Sequence, residues 1–207
     1  GDYSGRPSLR GALAARLAAD RGLVVSADQV LVVSSAQAAF TLLAQVLAEP
    51  GDRALVESPG YAGARAAVAA AGLAAVPLPV DAAGADIGRV TGPAGLAYVT
   101  PSNQYPLGVR MALHRREALA DWARRSDAWI IEDDYDGEFH WRGRAVATLQ
   151  SIAPDVTLYV GSAAKSLMPA LRLGWIAAPE PLVAPLREGV RNLVLGANLH
   201  AQAAFEV

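Results

Sequence analysis

Residues 157–179 read TLYVGSAAKSLMPALRLGWIAAP. Two apolar runs, TLYVGS (157 to 162) and RLGWIAAP (172 to 179), flank a short stretch of small residues. A run that is apolar throughout, rather than at alternate positions, suits a strand covered on both faces, as in layered α/β domains. The connection from Gly161 to Leu171 is too short and irregular for a crossover helix, so the second run is expected to lie antiparallel to the first. Between them stands Lys165, directly after a strand and not on a polar helix face.

Outward from this stretch the same pattern repeats. QVLVVS (29 to 34), ALVES (54 to 58), AAVPLPV (74 to 80), LAYVT (96 to 100) and AWIIED (128 to 133) are further short apolar runs. The prolines of the third favour an edge position. Between the runs lie helical patterns: SLRGALAARLAADRG with a possible serine cap and a glycine exit, AQAAFTLLAQVLAEPG, residues 62–71, and HRREALADWARRSD. The order predicts an α/β fold: a three-layer α/β/α domain on a mostly parallel seven-stranded sheet, the last strand antiparallel. From Pro181 the chain reads as a helix leaving that domain, interrupted near Gly196.

A chain of 207 residues, 53% hydrophobic, is long enough for one well-buried domain. Eighteen Lys and Arg against 20 Asp and Glu leave a formal charge of -2, with no basic run. Nucleic-acid binding by this segment itself is therefore not expected, because phosphate neutralisation needs clustered cations. There is no cysteine, hence no disulfide, thiolate metal site or cysteine nucleophile, which suits a reducing, cytoplasmic setting. His114, His140 and His200 follow no zinc spacing, and no metal is expected. No uncharged apolar run is long enough to span a membrane. GDYSGRPSLR resembles no signal peptide, and the chain reads as a piece of something longer.

In open α/β sheets ligands bind beyond the carboxyl ends of the strands. The residues there are Ser34 to Gln37, Pro59 to Tyr61, Pro101 to Asn103, Asp133 to Tyr135, and Ser162 to Lys165. Together they offer an anion cradle, an aromatic ring, a carboxylate, a phenol and a lysine, the set that pyridoxal 5'-phosphate needs. A lysine must hold the aldehyde carbon, a carboxylate must keep the pyridine nitrogen protonated, and the phosphate needs N–H groups, hydroxyls and an arginine. Lys165 supplies the first, or is a solvated loop lysine. Asp133 supplies the second, or belongs to an acidic run that caps a strand in solvent. Tyr135 suits the ring hydroxyl or is a core residue with a wet tip; Tyr61 stacks on the ring or is a surface aromatic. Ser35, Ala36 and Gln37 open a helix and form an anion site or merely cap it. Ser162 and Arg172 bracket Lys165 and add a hydroxyl and a guanidinium fork.

GDYSGRPSLRGALAARL, VSSAQAAFTLLAQVL, ESPGYAGAR, YVTPSNQYPLG, IIEDDYDGEF and YVGSAAKSLMPALRLGW occur in this order over nearly the whole chain. Together they resemble the fold type I aminotransferases, and more closely the aminotransferase-like domain of the MocR subfamily of GntR transcription regulators. The resemblance implies that Lys165 is the Schiff-base lysine, that Asp133 pairs with the ring nitrogen and that Tyr135 bonds the ring hydroxyl, with Asn103 nearby. It places Tyr61 on the ring face, and Ala36, Gln37, Ser162 and Arg172 around the phosphate. Three residues depart from the pattern. Ser35 replaces a glycine and is expected to tighten the turn, Ala164 replaces a hydroxyl residue, and Asn103 stands where histidine is frequent.

The resemblance further implies that residues 1–180 form a large cofactor-binding domain and that 181–207 form an interdomain helix leading to a small C-terminal domain. It implies a homodimer, a small amino compound or amino acid as ligand, and DNA contact only through an N-terminal domain. Whether such a domain turns substrate over stays open at this point. A catalytic aminotransferase would use the same lysine and carboxylate, and a cofactor-free interaction domain would keep only the fold.

Overall fold

The computed structural model describes residues 3–136, 147–163, 172–194 and 196–205. Along the chain run α1 (Pro7–Arg21), β1 (Val30–Val33), α2 (Ala36–Leu47), β2 (Arg53–Ser58), α3 (Ala62–Ala70), β3 (Ala74–Asp81) and β4 (Gly84–Ala85). They are followed by β5 (Leu96–Val99), α4 (Leu113–Ser126), β6 (Trp129–Asp133), α5 (Leu149–Ile152), β7 (Thr157–Ser162), β8 (Gly174–Ala177), α6 (Glu180–Gly189) and α7 (Leu199–Phe205). One sheet takes the order β1-β8-β7-β6-β5-β2-β3-β4. From β7 to β3 all neighbours are parallel. β8 is antiparallel to both β7 and β1, as its short connection requires.

The sheet has eight strands where seven were expected. The addition is the two-residue β4, which pairs antiparallel with the last residues of β3, Val80 with Ala85 and Asp81 with Gly84. Two residues carry no periodicity, so a polar, Gly-rich interval hid it. Gly84 is required there: its φ is 96°, and a Cβ would stand 2.7 Å from the Met111 backbone. Because β4 covers only that tip, Pro77 lies beyond it on the outer edge of β3, and Pro79, which has no N–H to offer, only accepts there, from the Asp86 N–H at 2.8 Å.

Alternation along the strands splits the core. Leu31, Val33, Tyr98, Ile131 and Val160 pack with Phe40 and Leu43 of α2 and Val68 of α3, joined by Leu186 of α6. On the opposite face Val30, Val32 and Trp175 meet Leu9, Leu13 and Leu17 of α1, while Ala97, Val99 and Ile130 meet Leu119 and Ala123 of α4. The inner strands β1, β5 and β8 are buried along their whole length, which explains their uniformly apolar runs, whereas of the outer strand β3 only Leu78 is fully buried. α1 starts on Pro7, with no side-chain cap, and not on a capping Ser8; proline at the first turn has no N–H to satisfy. It ends as expected on Gly22, φ 71°.

Beyond β8, α6 packs on α2, Gly196 (φ 73°) breaks the path, and α7 returns to α1. Phe205 lies against Trp175, ring centroids 5.9 Å apart, and Gln202 accepts the Arg6 N–H at 2.8 Å. The described part of residues 181–207 thus runs through α6, a π-helical stretch at Val190–Val194 and α7, and packs on the layers of this domain. Among the described residues no helix is long and apolar enough to cross a membrane.

Candidate cofactor site

At the carboxyl edge of the parallel strands a cleft of about 240 Å³ is lined by Ala36, Gln37, Phe40, Tyr61, Tyr105, Asp133, Tyr135 and Ser162. Six residues singled out from sequence thus meet in one place, although they come from four separate segments. Asn103 joins them by donating to the Tyr135 hydroxyl at 3.0 Å. Arg172 precedes β8, exposed, with a left-handed φ of 49°, and does not line the cleft. Lys165 lies outside the described residues. A larger cleft of about 500 Å³ lies against α6, where Arg187 and Arg191 pair with Asp28 and Glu188; it gathers none of the chemistry above.

The acidic run at the end of β6 is no solvent cap: Glu132, Asp133 and Asp134 are 0%, 5% and 4% exposed. Asp133 follows the parity of Ile131 and meets Tyr98, whose hydroxyl donates to Oδ2 at 2.5 Å. Its other oxygen, Oδ1, is buried without a hydrogen-bond partner among the described residues. Burial pushes this carboxyl up to about 7; the Tyr98 bond opposes the rise, and the charges of Asp134, Glu57 and Asp136 add to it. A buried acceptor in that state calls for a cationic donor, which would hold the carboxylate ionised.

The anion end is the start of α2. Ser35 is its N-cap and accepts from the Ala38 N–H at 3.1 Å, and its own O–H is left to donate to an anion. The serine does not tighten the turn, contrary to expectation: its φ of -178° is extended backbone that any residue adopts. The glycine that matters here is Gly174 on β8, where a Cβ would lie 2.7 Å from the Ser35 carbonyl carbon and 2.9 Å from the Ala36 nitrogen. The first N–H groups of the helix, on Ala36 and Gln37, have no acceptor within it and suit a phosphate. The Gln37 side chain is used otherwise, donating to the Gly63 carbonyl at 2.9 Å and so tying α2 to α3.

Aromatic rings wall the cleft in edge-to-face contacts, Tyr61 with Tyr105 at 6.0 Å and Tyr105 with Tyr135 at 6.4 Å. Phe40 joins Tyr61 to Tyr98 behind them. Burial, helped by Asp136 and Asp133, pushes the Tyr135 phenol up to about 12, so it stays a proton donor. Sequence reading missed Phe40, Tyr98 and Tyr105. Phe40 and Tyr98 look like core residues of a helix and a strand, and only side-chain direction sets them apart. Tyr105 had a signal, a tyrosine before proline in the loop after β5. That loop is braced by buried Glu57, which accepts from Thr100 at 2.5 Å and Gln104 at 3.1 Å.

These residues fit pyridoxal phosphate. The unpaired Asp133 Oδ1 matches a protonated ring nitrogen, the start of α2 under Gly174 matches the phosphate, and Tyr135 with Asn103 matches the ring hydroxyl. Among the described residues no cluster of His, Asp and Glu could hold a metal ion instead.

The sequence profile of the family "Aminotransferase class I and II" matches residues 1–207. The chain is 41% identical over 204 residues to the probable rhizopine catabolism regulatory protein MocR of Rhizobium meliloti, covering 98% of this chain and 41% of that protein. It is 32% identical over 194 residues to the arginine–pyruvate transaminase AruH of Pseudomonas aeruginosa, covering 89% and 49%. The Pyrococcus horikoshii kynurenine aminotransferase, solved in complex with PMP, superposes with a TM-score of 0.90 at 25% identity, over 100% of this chain and 54% of that one. The chain thus spans about half the length of the relatives it matches. It belongs to the class I and II aminotransferases, as a pyridoxal-phosphate-binding domain of fold type I homologous to the corresponding region of MocR-type regulators.

Proposed function

We propose that this chain is the effector domain of a cytoplasmic bacterial transcription regulator, which senses pyridoxal phosphate or a small amino compound reacting with it. The observation that carries this reading is the 41% identity to a regulatory protein over nearly the whole chain, against 32% to a transaminase. The geometry suits a sensor: a buried Asp133 oxygen has no hydrogen-bond partner among the described residues. The balanced charge of this segment supports the part of this reading in which a separate N-terminal domain contacts DNA, and the same reading takes a homodimer as the unit of function.

When bound, the cofactor supplies an aldehyde carbon for amines and a ring that withdraws electrons. Asp133 then holds the proton on the ring nitrogen, Tyr135 and Asn103 orient the ring hydroxyl, and Tyr61 covers the ring face. Ser35 with the Ala36 and Gln37 N–H groups would take the phosphate, joined by Ser162. Lys165 is the only lysine in the 207 residues, so a covalent link to a lysine of this chain has one address. Borohydride reduction followed by peptide mapping is expected to place a pyridoxyl group there, and an adduct elsewhere overturns that role.

A second reading, catalytic amino transfer between an amino acid and a 2-oxo acid, is favoured by the similarity to AruH and by the same Asp133 geometry. The full-length protein decides between them. A regulator changes operator affinity when pyridoxal phosphate or an amine is added, and operator DNA changes ligand affinity by the same factor. Rapid multiple turnover with a panel of amino donors and 2-oxo acids, without any cofactor effect on DNA binding, leaves the enzyme.

A further inference from the structure

The ring-facing residues Asp133 and Asn103 sit on different strand ends, and each has a neighbour held by one buried cation. Arg21, the last residue of α1, donates from Nη2 to Asp134 Oδ2 at 2.7 Å and to Ser102 Oγ at 2.9 Å. The side chains of Arg21 and Asp134 are 5% and 0% exposed. Tyr159 donates to the same Asp134 oxygen at 2.7 Å. Asp134 follows Asp133 directly, and Ser102 precedes Asn103. One guanidinium thus grips both strand ends from behind, on the face opposite the cleft.

We propose that Arg21 is a positioning residue for the cofactor, fixing Asp133 and Asn103 relative to each other and cancelling the charge of Asp134 beside Asp133. The geometric part follows from the shared nitrogen: a displaced Arg21 releases Ser102 and Asp134 together, and with them the two contacts to the ring. The electrostatic part follows from the surroundings of Asp133. It faces Tyr98 from β5, Glu57 from β2, and Asp134 and Asp136 from its own strand end. Among these acids Asp134 carries an ion pair, and its partner is Arg21. Without that cation a bare negative charge stands next to the carboxylate that must itself be ionised to pair with the ring nitrogen. The inference rests on pyridoxal phosphate binding at Asp133, and it holds for regulator and enzyme alike.

The test is a fluorescence titration of pyridoxal phosphate on the full-length protein, from mildly acid to alkaline pH, for wild type, Arg21→Met and the double variant Arg21→Met with Asp134→Leu. Arg21→Met is expected to bind about tenfold more weakly. The acid limb of its binding profile should move about one unit to higher pH, because the uncompensated Asp134 makes Asp133 harder to ionise. The double variant removes the stray charge as well, so its limb returns to the wild-type position while its affinity stays low. A purely structural role weakens binding without moving the limb in this pattern. Should Arg21→Met fail to fold, the double variant, with apolar packing replacing the pair, carries the test alone. A folded Arg21→Met variant with wild-type affinity and profile overturns the proposal, as does a double variant with wild-type affinity. No binding by wild type overturns the cofactor reading along with it.

Discussion

Glu132 and Asp133 are neighbours on β6, both buried, and burial pushes both up to about 7. They differ in what their oxygens meet. Glu132 faces the α4 and α5 layer, where Oε1 accepts the Leu149 N–H and Oε2 the Gln150 N–H, each at 2.8 Å. It holds the start of α5, with Arg116 nearby as a cation. Asp133 faces the cleft with one phenol on one oxygen and, among the described residues, nothing on the other. A saturated buried carboxylate holds the fold together, whereas an unsaturated one keeps a place for a ligand. One residue of register, through strand alternation, decides which role a side chain receives.

The sharpest way to break this comparison is to remove each group in turn. Asp133→Ala should lower cofactor affinity by about 3 to 5 kcal/mol, the loss when one partner of a shielded pair is deleted, with little harm to the cofactor-free domain. Fluorescence titration measures it, and equal affinity in wild type and variant refutes the pairing. Glu132→Ala should do the reverse. Losing two hydrogen bonds to a charged group costs about 3 kcal/mol of stability in denaturant titration, and folded molecules keep their cofactor affinity. A Glu132 variant that folds normally but releases cofactor would erase the distinction.

A smaller effect tests the shared burial. Both carboxyls bind their proton more tightly in the folded chain than in the unfolded one. Their contribution is therefore fully present below the unfolded range near pH 4 and is lost as pH rises through about 7. Thermal melts of cofactor-free protein should fall across that window, and Asp133→Asn should flatten part of the fall. Saturating cofactor should flatten it too, because an ionised Asp133 then has a cationic partner. Melts that instead rise across the window would show both carboxylates comfortably ionised without ligand.

The smallest effect concerns the anion end. Ser35→Ala should cost about 1 kcal/mol of stability through the lost cap, and Ser35→Gly only a few tenths. If the hydroxyl also donates to phosphate, both variants weaken cofactor binding equally although their stabilities differ. Paired denaturant and cofactor titrations separate the two roles.

Much of the site was legible because residues beyond an apolar run come to the edge of the sheet. Ala36, Gln37, Tyr61, Asp133, Tyr135 and Ser162 were found that way and line one cleft. Tyr98 was not, because within LAYVT nothing distinguishes a tyrosine packed for bulk from one aimed at a carboxylate. Ser35 was misjudged by a family habit, since the close approach that needs glycine occurs at Gly174 on another strand. Arg21 gave no signal: its partner Ser102 is 81 positions away, and an arginine before a helix-ending glycine reads as a solvated cation.

By itself, then, the sequence determined the order and type of the seven longer strands and of α1 to α4, the antiparallel return of β8 and the chemical inventory at the strand ends. These depend on apolar periodicity, on connection length and on residues a few positions apart. Only the tertiary structure decided which carboxylate of the acidic run is free, which glycine admits the helix start, and which cation stands behind the site. Those outcomes depend on layer packing, which brings α1, the loop after β5 and the end of β6 into contact across long stretches of chain, and no local pattern encodes a partner chosen at that distance.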